Sequence, residues 1–441
     1  MTRMKESGID WIGQIPEEWV ISKIKFTTQL NGRIGWQGLT SAEYKEEGPY
    51  LITGTDFHNG TINFETAVHI DEKRWSEASQ IQVENGDLLI TKDGTVGKVA
   101  IISGLDDKAS LNSGVLRIQT IDEIDRRFLY YVLLSDEFWM WFNYTNSGAS
   151  TILHLYQNVF DEFTFTFPQK NEQQKIADFL DKKTAQLDKV KVLLEEQIQK
   201  LKDYRASLIY ETVTKGLDKT VPMKDSGIDW IGQVPEGWGV KRLKYLVNKI
   251  GSGKTPLGGS EIFEETGILF IRSQNVHNGL IQLEDKSTYI NRNIHRQMIG
   301  TSVEKNDILL NITGASIGRV AKYDLDVEAN VNQHVCIIRC DRFVLPDYLM
   351  YFIMSEFGQF MIKIHQISGN REGLSFDNIG NFKIIIPDLD YQYKISQYLN
   401  KKMLIINQMI KTKDQQIENI NKQRQTLIYD YVTGKKRGKE I

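Results

Sequence analysis

Hydrophobic residues follow two patterns along the chain, and each pattern occurs twice. In the first pattern, short runs such as "DLLIT" and "DILLNIT" alternate with Gly and Asn turns, which predicts β-strands. One longer hydrophobic segment in each half, "RRFLYYVLLSDEFWMWF" and "PDYLMYFIMSEFGQFMIKI", predicts a helix. Residues 1–169 and 220–388 are therefore predicted to form two mixed α/β (α+β) globular domains.

The second pattern is a seven-residue repeat in two runs of more than forty residues that contain neither Pro nor Gly. Each run follows a predicted strand that ends in proline, and each stops at a glycine, Gly216 or Gly434. A sustained seven-residue repeat is typical of a coiled coil, so residues 170–219 and 389–441 are each predicted to contain a long coiled-coil helix. A long amphipathic helix lying on a globular core is the alternative. The repeat positions are Leu180, Leu187, Leu194, Leu201 and Leu208, and then Leu399, Ile406, Ile420 and Leu427.

The two halves are copies of one another. The stretch "SGIDWIGQIPEEW" at residues 7–19 returns as "SGIDWIGQVPEGW" at 226–238, an offset of 219 residues. The same offset carries "SLIYETVT" at 207–214 onto "TLIYDYVT" at 426–433. A tandem duplication of this kind predicts two related domains separated by two long helices. We expect the helices to form an antiparallel coiled coil, which gives the chain approximate two-fold symmetry.

Composition and charge limit the class of protein. A hydrophobic content of 41% is enough to build real cores. The net charge of -3 does not indicate a nucleic-acid-binding protein, although residues 391–439 contain 11 Lys or Arg against 3 Asp or Glu. Any anion-binding surface on the two domains must therefore be a local stripe. Neither a leader peptide nor a membrane-spanning run is present, so we expect a cytoplasmic protein.

The predicted shape suits a ligand with two different half-sites at a fixed distance. A helix rises about 1.5 Å per residue, so a run of about forty residues is about 60 Å long. One turn of duplex DNA advances about 34 to 36 Å, which brings two half-sites within reach of domains held by such helices. Duplex DNA is therefore the candidate ligand.

Several motifs also carry a resemblance to a known family. They are the repeated "SGIDWIGQ" stretch, the "GKTP" loop at 253–256, "NITGASIGRVA", "NVNQHV", and the "QQKIADFL" entry to the first long helix. With these motifs in this order the chain resembles the specificity subunit of type I restriction-modification systems. The resemblance implies that residues 1–169 and 220–388 are target-recognition domains, each reading one half of a bipartite DNA site.

The same resemblance implies a set of partners and cofactors. The helices at 170–219 and 389–441 would set the spacer and dock two modification subunits, which carry the methyltransferase, and restriction subunits, which carry the translocase and nuclease. No cofactor or metal is expected in this chain, since S-adenosylmethionine, ATP and Mg²⁺ would be used by the partner subunits. The residues agree on one point: the chain has no adjacent prolines, so the Asn/Asp-Pro-Pro-aromatic loop of adenine methyltransferases is absent.

Two other functions are alternatives to this one. A nucleotide-dependent enzyme is suggested by "NKIGSGKT" at 248–255, but Asn248 replaces the first glycine of a phosphate-binding loop. Pro256 also follows at once, where a helix should be gaining hydrogen bonds. A non-catalytic coiled-coil adaptor that binds protein is the other alternative, because the domains are acidic outside any local basic stripe.

Candidate DNA contacts are polar side chains in loops rich in small residues, where the backbone can approach a sugar-phosphate strand. Arg272 and Gln274 can form paired hydrogen bonds with guanine and adenine, and Thr53 and Asp56 occupy the matching places in the first domain. Solvated turns are the alternative for each loop. Further candidates in "TKDGTVGKV", "NITGASIGRV", "NGRIGWQG" and "SGNREG" are Lys92, Lys98, Asn311, Arg319, Arg33, Trp36, Asn370 and Arg371, and the family resemblance adds Lys254, Thr255 and Gln333.

Overall fold

The computed structural model divides the chain into two compact units. Unit 1 comprises Met1–Leu194 and Gln415–Ile441, and unit 2 comprises Glu195–Asp414. The division falls inside both long helices, so each unit contains one globular lobe and a part of each helix. The structure describes residues 3–33, 39–146, 153–256, 258–283, 287–367 and 373–437.

The unit 1 lobe is built on two four-stranded sheets, with strand orders β11-β10-β13-β4 and β8-β5-β12-β9. Its strands are β1 (Met4–Glu6), β2 (Gln14–Pro16), β3 (Val20–Lys23), β4 (Thr28–Gly32), β5 (Lys45–Ile52), β6 (Phe57–His58), β7 (Thr61–Ile62), β8 (Val68–His69), β9 (Gln82–Val83), β10 (Leu88–Thr91), β11 (Val99–Ile101), β12 (Ala109–Leu111), β13 (Val115–Thr120) and β14 (Thr164–Phe167). Its helices are α1 (Ile24–Thr27), α2 (Glu72–Ser76), α3 (Arg126–Leu134), α4 (Asp136–Thr145) and α5 (Gln157–Phe160).

The unit 2 lobe repeats this plan, with sheet orders β18-β27-β24-β25 and β22-β19-β26-β23. Its strands are β15 (Met223–Asp225), β16 (Gln233–Pro235), β17 (Gly239–Arg242), β18 (Val247–Ser252), β19 (Ile268–Ile271), β20 (Val276–His277), β21 (Leu280–Ile281), β22 (Tyr289–Ile290), β23 (Ser302–Val303), β24 (Ile308–Asn311), β25 (Val320–Lys322), β26 (Ala329–Val331), β27 (Val335–Cys340) and β28 (Lys383–Ile386). Its helices are α7 (Arg292–Gln297), α8 (Pro346–Met354), α9 (Glu356–Ile367) and α10 (Phe376–Gly380).

Strand β10 shows why the hydrophobic runs in the lobes are nearly continuous. Successive side chains of a strand point to opposite faces. Leu88 and Ile90 enter the core shared with α3 and α4, whereas Leu89 enters a second core with Ile52 and Leu111. Strand β24 divides its residues between two cores in the same way. A strand covered on both faces needs apolar residues at every position, which is the pattern found.

The two long helices are α6 (Lys170–Lys215) and α11 (Leu389–Val432). Within unit 1 the start of α6 packs on the end of α11, where the rings of Phe179 and Tyr431 lie 4.8 Å apart. Within unit 2 the end of α6 packs on the start of α11, where Arg205 donates to Asn407. The helices are therefore antiparallel, which confirms the predicted fold class. Among the repeat positions, Leu180, Leu399 and Ile406 are buried and the others are half-buried.

A buried glutamine attaches each long helix to its lobe. In unit 1 the Gln173 side chain donates to the carbonyls of Glu123 and Pro168 and accepts from the Asp125 backbone N–H. In unit 2 the Gln392 side chain makes the matching three bonds. Both glutamines are fully buried, so each satisfies backbone groups that would otherwise be unpaired in the interior. Within the described part of the chain, no helix is long and apolar enough to cross a membrane.

Candidate nucleic-acid interface

Three loops converge at one edge of each lobe. In unit 1 they are residues 53–56 after β5, residues 92–98 after β10, and residues 112–114 between β12 and β13. Strands β5 and β12 are parallel neighbours, so their carboxyl ends meet at the same edge. Backbone hydrogen bonds fix the loops together: Asn112 N donates to the Ile52 carbonyl at 2.9 Å, and Lys92 N donates to the Gly114 carbonyl at 2.8 Å. The loops enclose a cavity of about 570 Å³, which we call the unit 1 cleft.

The same three loops form a unit 2 cleft of about 420 Å³. Asn332 N donates to the Ile271 carbonyl at 3.0 Å, and Ile312 N donates to the His334 carbonyl at 3.0 Å. These bonds are the counterparts of the two in unit 1. Because the bonds correspond, each loop residue of unit 1 can be matched to one loop residue of unit 2: Lys92, for example, corresponds to Ile312.

In both units the first loop is a turn closed by a side chain: the carboxylate or amide oxygen of its fourth residue accepts from the backbone N–H of its first residue. In unit 1 the Asp56 carboxylate accepts from the Thr53 N–H at 2.7 Å and from the Thr53 hydroxyl at 2.9 Å. Asp56 is 1% exposed. Its assignment as a DNA contact is therefore corrected: a buried carboxylate that closes its own turn is not available to a ligand.

In unit 2 the turn is closed by Asn275, whose Oδ1 accepts from the Arg272 N–H at 2.9 Å. Asn275 is thus the counterpart of Asp56, and the exposed Gln274 pairs with the exposed Thr55. This corrects the expected pairing of Gln274 with Asp56. The Arg272 guanidinium is half-buried and lies 5.8 Å from the ring centre of Phe263.

The second loop holds the lysines and the arginine that were expected to contact DNA. In unit 1, Lys92 Nζ lies 3.6 Å from the Asp93 carboxylate, and Lys98 Nζ donates to the Gly54 carbonyl at 3.3 Å. Both lysines are half-buried. The counterpart of Lys98 in unit 2 is Arg319, which is exposed and lines the unit 2 cleft.

Asn311, at the end of β24, needs a correction. Its side chain is 0% exposed, and its Nδ2 donates to the Ser273 carbonyl at 2.8 Å and to the Ser316 hydroxyl at 3.1 Å. The amide therefore joins the first loop to the second from inside the lobe. It shapes the unit 2 cleft but does not face a ligand.

The third loop brings two sequence candidates into one hydrogen-bonded chain. In unit 2 the exposed Thr255 and Gln333 are hydrogen-bonded, and Gln333 in turn contacts His334. His334 Nδ1 is bonded to the Thr313 hydroxyl, which returns the chain to the second loop. The neighbouring Lys254 is exposed. Segments that are far apart in sequence thus share one rim.

Four candidates lie away from this rim or outside the described residues. Arg33 was expected to be exposed but is 6% exposed, and it donates to the Leu111 carbonyl at 2.8 Å and to the Ser110 hydroxyl at 3.3 Å. Its place as a DNA contact is corrected, since the guanidinium is used to hold strand β12. Trp36, Asn370 and Arg371 lie outside the residues that the structure describes.

Sequence reasoning missed a carboxylate at the unit 1 cleft. Asp93 lines the cleft, and its Oδ1 accepts from His154 Nδ1 at 2.8 Å. The matching residue in unit 2 is Thr313. Each follows the second-loop strand by two positions, in "TKDG" and "NITG", and that spacing from the end of the strand was the available signal.

Both long helices also expose apolar side chains. On the part of α11 in unit 2, Leu404 is 73% exposed, and Ile405 and Met409 are nearly half exposed. On the part of α6 in unit 1, Val192 and Leu193 are exposed as well. These residues are distinct from the repeat positions, which are buried or half-buried.

The fold is thus two duplicated lobes, each with a cleft built from three loops and a share of an antiparallel helix pair. The chain matches the family described as "Type I restriction modification DNA specificity domain" over residues 16–201 and 235–419. The chain belongs to this family, and the resemblance drawn from its motifs is confirmed.

Two relatives match nearly the whole chain. The chain is 25% identical to the type I restriction enzyme EcoBI specificity subunit of Escherichia coli, covering 96% of this chain and 87% of that one. It is 26% identical to the MjaVIII specificity subunit of Methanocaldococcus jannaschii, covering 97% and 95%.

A solved structure described as "Structural basis underlying complex assembly and conformational transition of the type I R-M system" shares the fold. It matches with a TM-score of 0.70 and 13% identity, over 95% of this chain and 98% of that one.

Proposed function

We propose that this chain is the DNA-recognition subunit of a type I restriction-modification complex. Each cleft reads one half of a bipartite DNA site. The long helices set the gap between the halves and dock the modification and restriction subunits. The proposal rests on the family to which the chain belongs and on one structural observation. The backbone hydrogen bonds that hold the loops are the same in the two clefts, whereas the exposed side chains of the loops differ.

The observation is that matching backbone bonds persist while the rim side chains change. Both units keep the same bonds between the three loops and the same side-chain-closed turn in the first loop. At the exposed positions Thr55 is replaced by Gln274, and Ser113 by Gln333. A fixed backbone with different polar groups is what two readers of different base sequences require, because base edges are distinguished by hydrogen-bond donors and acceptors.

The exposed apolar residues of the helices support the docking part of the proposal. Leu404 and its neighbours form a patch on a helix whose other face is already packed. Exposed apolar patches on a soluble protein are typical of protein–protein contacts. We assign these surfaces to the modification subunits, of which we expect two, and to the restriction subunits.

Catalysis and cofactors belong, in this proposal, to those partners. Methyl transfer would use S-adenosylmethionine, and translocation and cleavage would use ATP and Mg²⁺, all in the partner subunits. Within the described part of the chain, no three His, Cys, Asp or Glu side chains are grouped as metal ligands. The subunit would act in the cytoplasm, where it meets the chromosome and entering DNA.

The test is to sequence modified bases in host DNA with and without the gene, using long reads. Loss of methylation from one motif, two short specific halves around a fixed gap, would support the proposal. A host that makes a chain with Gln274→Ala and Arg319→Ala should keep the sequence of one half and lose that of the other. An unchanged methylation pattern, with the modification subunit shown to be active, would contradict the proposal and favour a protein-binding adaptor.

A further inference from the structure

The two clefts differ in hydrogen-bonding character at matching positions. In the unit 1 cleft the second loop presents a carboxylate, Asp93, where unit 2 has the hydroxyl of Thr313. The basic side chain next along the loop is Lys98 in unit 1 and Arg319 in unit 2. The Lys98 ammonium donates a hydrogen bond to the Gly54 carbonyl, whereas Arg319 is exposed and lines the unit 2 cleft.

The unit 1 cleft is an acceptor site. Among the described residues that line it there is no Lys or Arg, and the two carboxylates are Asp56 and Asp93. Asp56 is buried and closes its own turn, so Asp93 carries the acceptor character. A carboxylate can accept about four hydrogen bonds. His154 occupies one of these places on Oδ1 at 2.8 Å, and Lys92 Nζ stands 3.6 Å from Oδ2, which leaves the group able to accept from a ligand.

The unit 2 cleft is a donor site. Its described lining contains Arg319, Gln274 and His334 and no Asp or Glu. Arg319 is exposed, and it carries five N–H groups in a planar fork. Within the described residues, the structure gives its guanidinium no hydrogen bond or ion pair. This fork is therefore available to a ligand with two adjacent acceptors.

We propose that the unit 1 cleft selects a base with an exocyclic amine, cytosine or adenine, through Asp93, and that the unit 2 cleft selects guanine through Arg319. This assignment rests on the proposed function and deepens it. In the major groove a carboxylate accepts from the cytosine N4 amine or the adenine N6 amine, and arginine pairs with the O6 and N7 acceptors of guanine.

Asp93 also excludes the other bases. A carboxylate among phosphates is unfavourable unless an amine compensates it, and it repels the O6 of guanine and the O4 of thymine, which are acceptors themselves. His154 and Lys92 flank the carboxylate and hold it in position. One residue thus provides both attraction toward amine-bearing bases and rejection of the rest.

The test is selection from a duplex library by the complete complex of this chain with its modification subunits, followed by sequencing of the bound duplexes. The wild-type complex should select a bipartite motif that contains cytosine or adenine at a fixed position of one half and guanine at a fixed position of the other. Asp93→Asn should reduce the preference at the first position roughly tenfold and leave the second half unchanged. Arg319→Ala should reduce the preference for guanine in the second half and leave the first half unchanged.

Matched controls are Asp122→Asn in unit 1 and Arg296→Ala in unit 2, since both residues are exposed and lie outside the clefts. Both controls should leave the motif intact. Asp93→Thr, which installs the unit 2 residue, is the second variant at that position and should behave as Asp93→Asn does.

An Asp93→Asn complex that keeps every base preference overturns the assignment while leaving the proposed function in place. Loss of both halves in both Asp93 variants also overturns it, because a rim side chain should not be needed for the fold. A wild-type complex that selects no motif overturns the proposed function itself.

Discussion

The guanidinium of Arg437 lies against the carboxylate of Glu172, with two nitrogens 3.0 and 3.1 Å from its two oxygens. The side chains are only 6% and 10% exposed. Arg437 also donates to Glu18 at 2.6 Å. Within unit 1 this pair ties the residues that follow α11 to the first turn of α6 and to the segment after β2. Arg437 thus fixes the segment at the start of the lobe, which contains Glu18, to the segment that follows the end of α11.

We expect Arg437→Ala to lower the free energy of unfolding of unit 1 by about 3 to 5 kcal/mol, because Glu172 would remain buried without its partner. Urea denaturation of the full chain measures this. Lys436→Ala is the matched control: its ion pair with Asp430 is half exposed and should contribute no more than about 1 kcal/mol. Equal losses for the two variants would show that the buried pair contributes no more to stability than the exposed one.

Glu137 predicts a dependence of stability on pH. It is 0% exposed, neither carboxyl oxygen has a hydrogen-bond partner among the described residues, and burial raises its pKa well above the ordinary value. The matching residue in unit 2 is Phe357, which stacks on Trp230. Because the folded pKa exceeds the unfolded one, the stability contribution is full below the unfolded pKa and is lost as pH rises toward the folded pKa.

We therefore expect the wild-type chain to lose stability relative to Glu137→Gln, which keeps the shape and removes the charge, over the pH range that begins at the ordinary glutamate pKa of 4.5 and extends upward. Thermal melts of both chains across that range supply the comparison. Glu356→Gln, at an exposed site of unit 2, is the control and should not change the pH profile. Parallel profiles for wild type and Glu137→Gln would contradict the expectation.

Lys254 is expected to contact a phosphate and not a base. It is exposed in the "GKTP" loop beside Thr255, on the rim of unit 2. We expect Lys254→Ala to weaken DNA binding about equally for all sequences and to reduce the slope of log K against log salt concentration by about one. Titrations of the complex at several salt concentrations measure both. Lys305→Ala, whose ammonium is paired with Asp326, should leave the slope unchanged.

The long helices should set the number of base pairs between the two half-sites. Arg424 Nε of α11 lies 3.5 Å from Asp188 Oδ1 of α6, so the two helices are side by side at this level. An insertion must therefore be made in both helices, beside Lys191 and Ile420. Seven residues in each helix keep the repeat in register and add about 10.5 Å. We expect the gap in the methylated motif to grow by about three base pairs at 3.4 Å each.

An insertion in α6 alone is the control for this experiment. It should misalign the helix pair, lower the free energy of unfolding and abolish recognition of the site. A motif whose gap is unchanged by the paired insertion would show that the helices do not determine it.

Leu404 and Ile405 should matter for assembly and not for folding. Changing both to Ala removes exposed apolar area while keeping a strong helix former at each site. We expect an unchanged melting temperature and at least roughly tenfold weaker binding of the modification subunit, measured by calorimetry or by co-purification. Gln408→Ala, an exposed polar site on the same helix, is the control. Unchanged binding by the double variant would assign the docking surface elsewhere.

The sequence predicted the frame well because the frame is periodic. The continuous apolar run of β10 reflects a strand that is buried on both faces, and the seven-residue repeat through Leu180 and Leu399 reflects a helix face that must be buried. Because the two halves are copies, the sequence also predicted that the strands and helices of the second lobe follow the same order as those of the first.

The site was harder to predict because polar residues in turns have two uses. Asp56 and Arg33 have the composition of DNA contacts, yet both satisfy backbone groups inside the lobe. Only the hydrogen-bond pattern separates the residue whose side chain closes the turn, such as Asp56, from its exposed neighbour, such as Thr55. Asp93 was missed for a related reason: its approach to the other loops depends on contacts distant in sequence.

The way in which the three loops of each cleft are held in place affects how the side chains exposed on those loops can change during evolution. Strands β10 and β24 are covered on both faces, and Asp56 and Asn275 close the first loop from within. Substitutions at Thr55 or Gln274 therefore meet solvent and leave the folding energy almost untouched. If each cleft reads one half-site, as proposed, either lobe can acquire a new target base by a single exposed change while the other lobe keeps its own, and the number of possible bipartite sites is then the product of two independent repertoires.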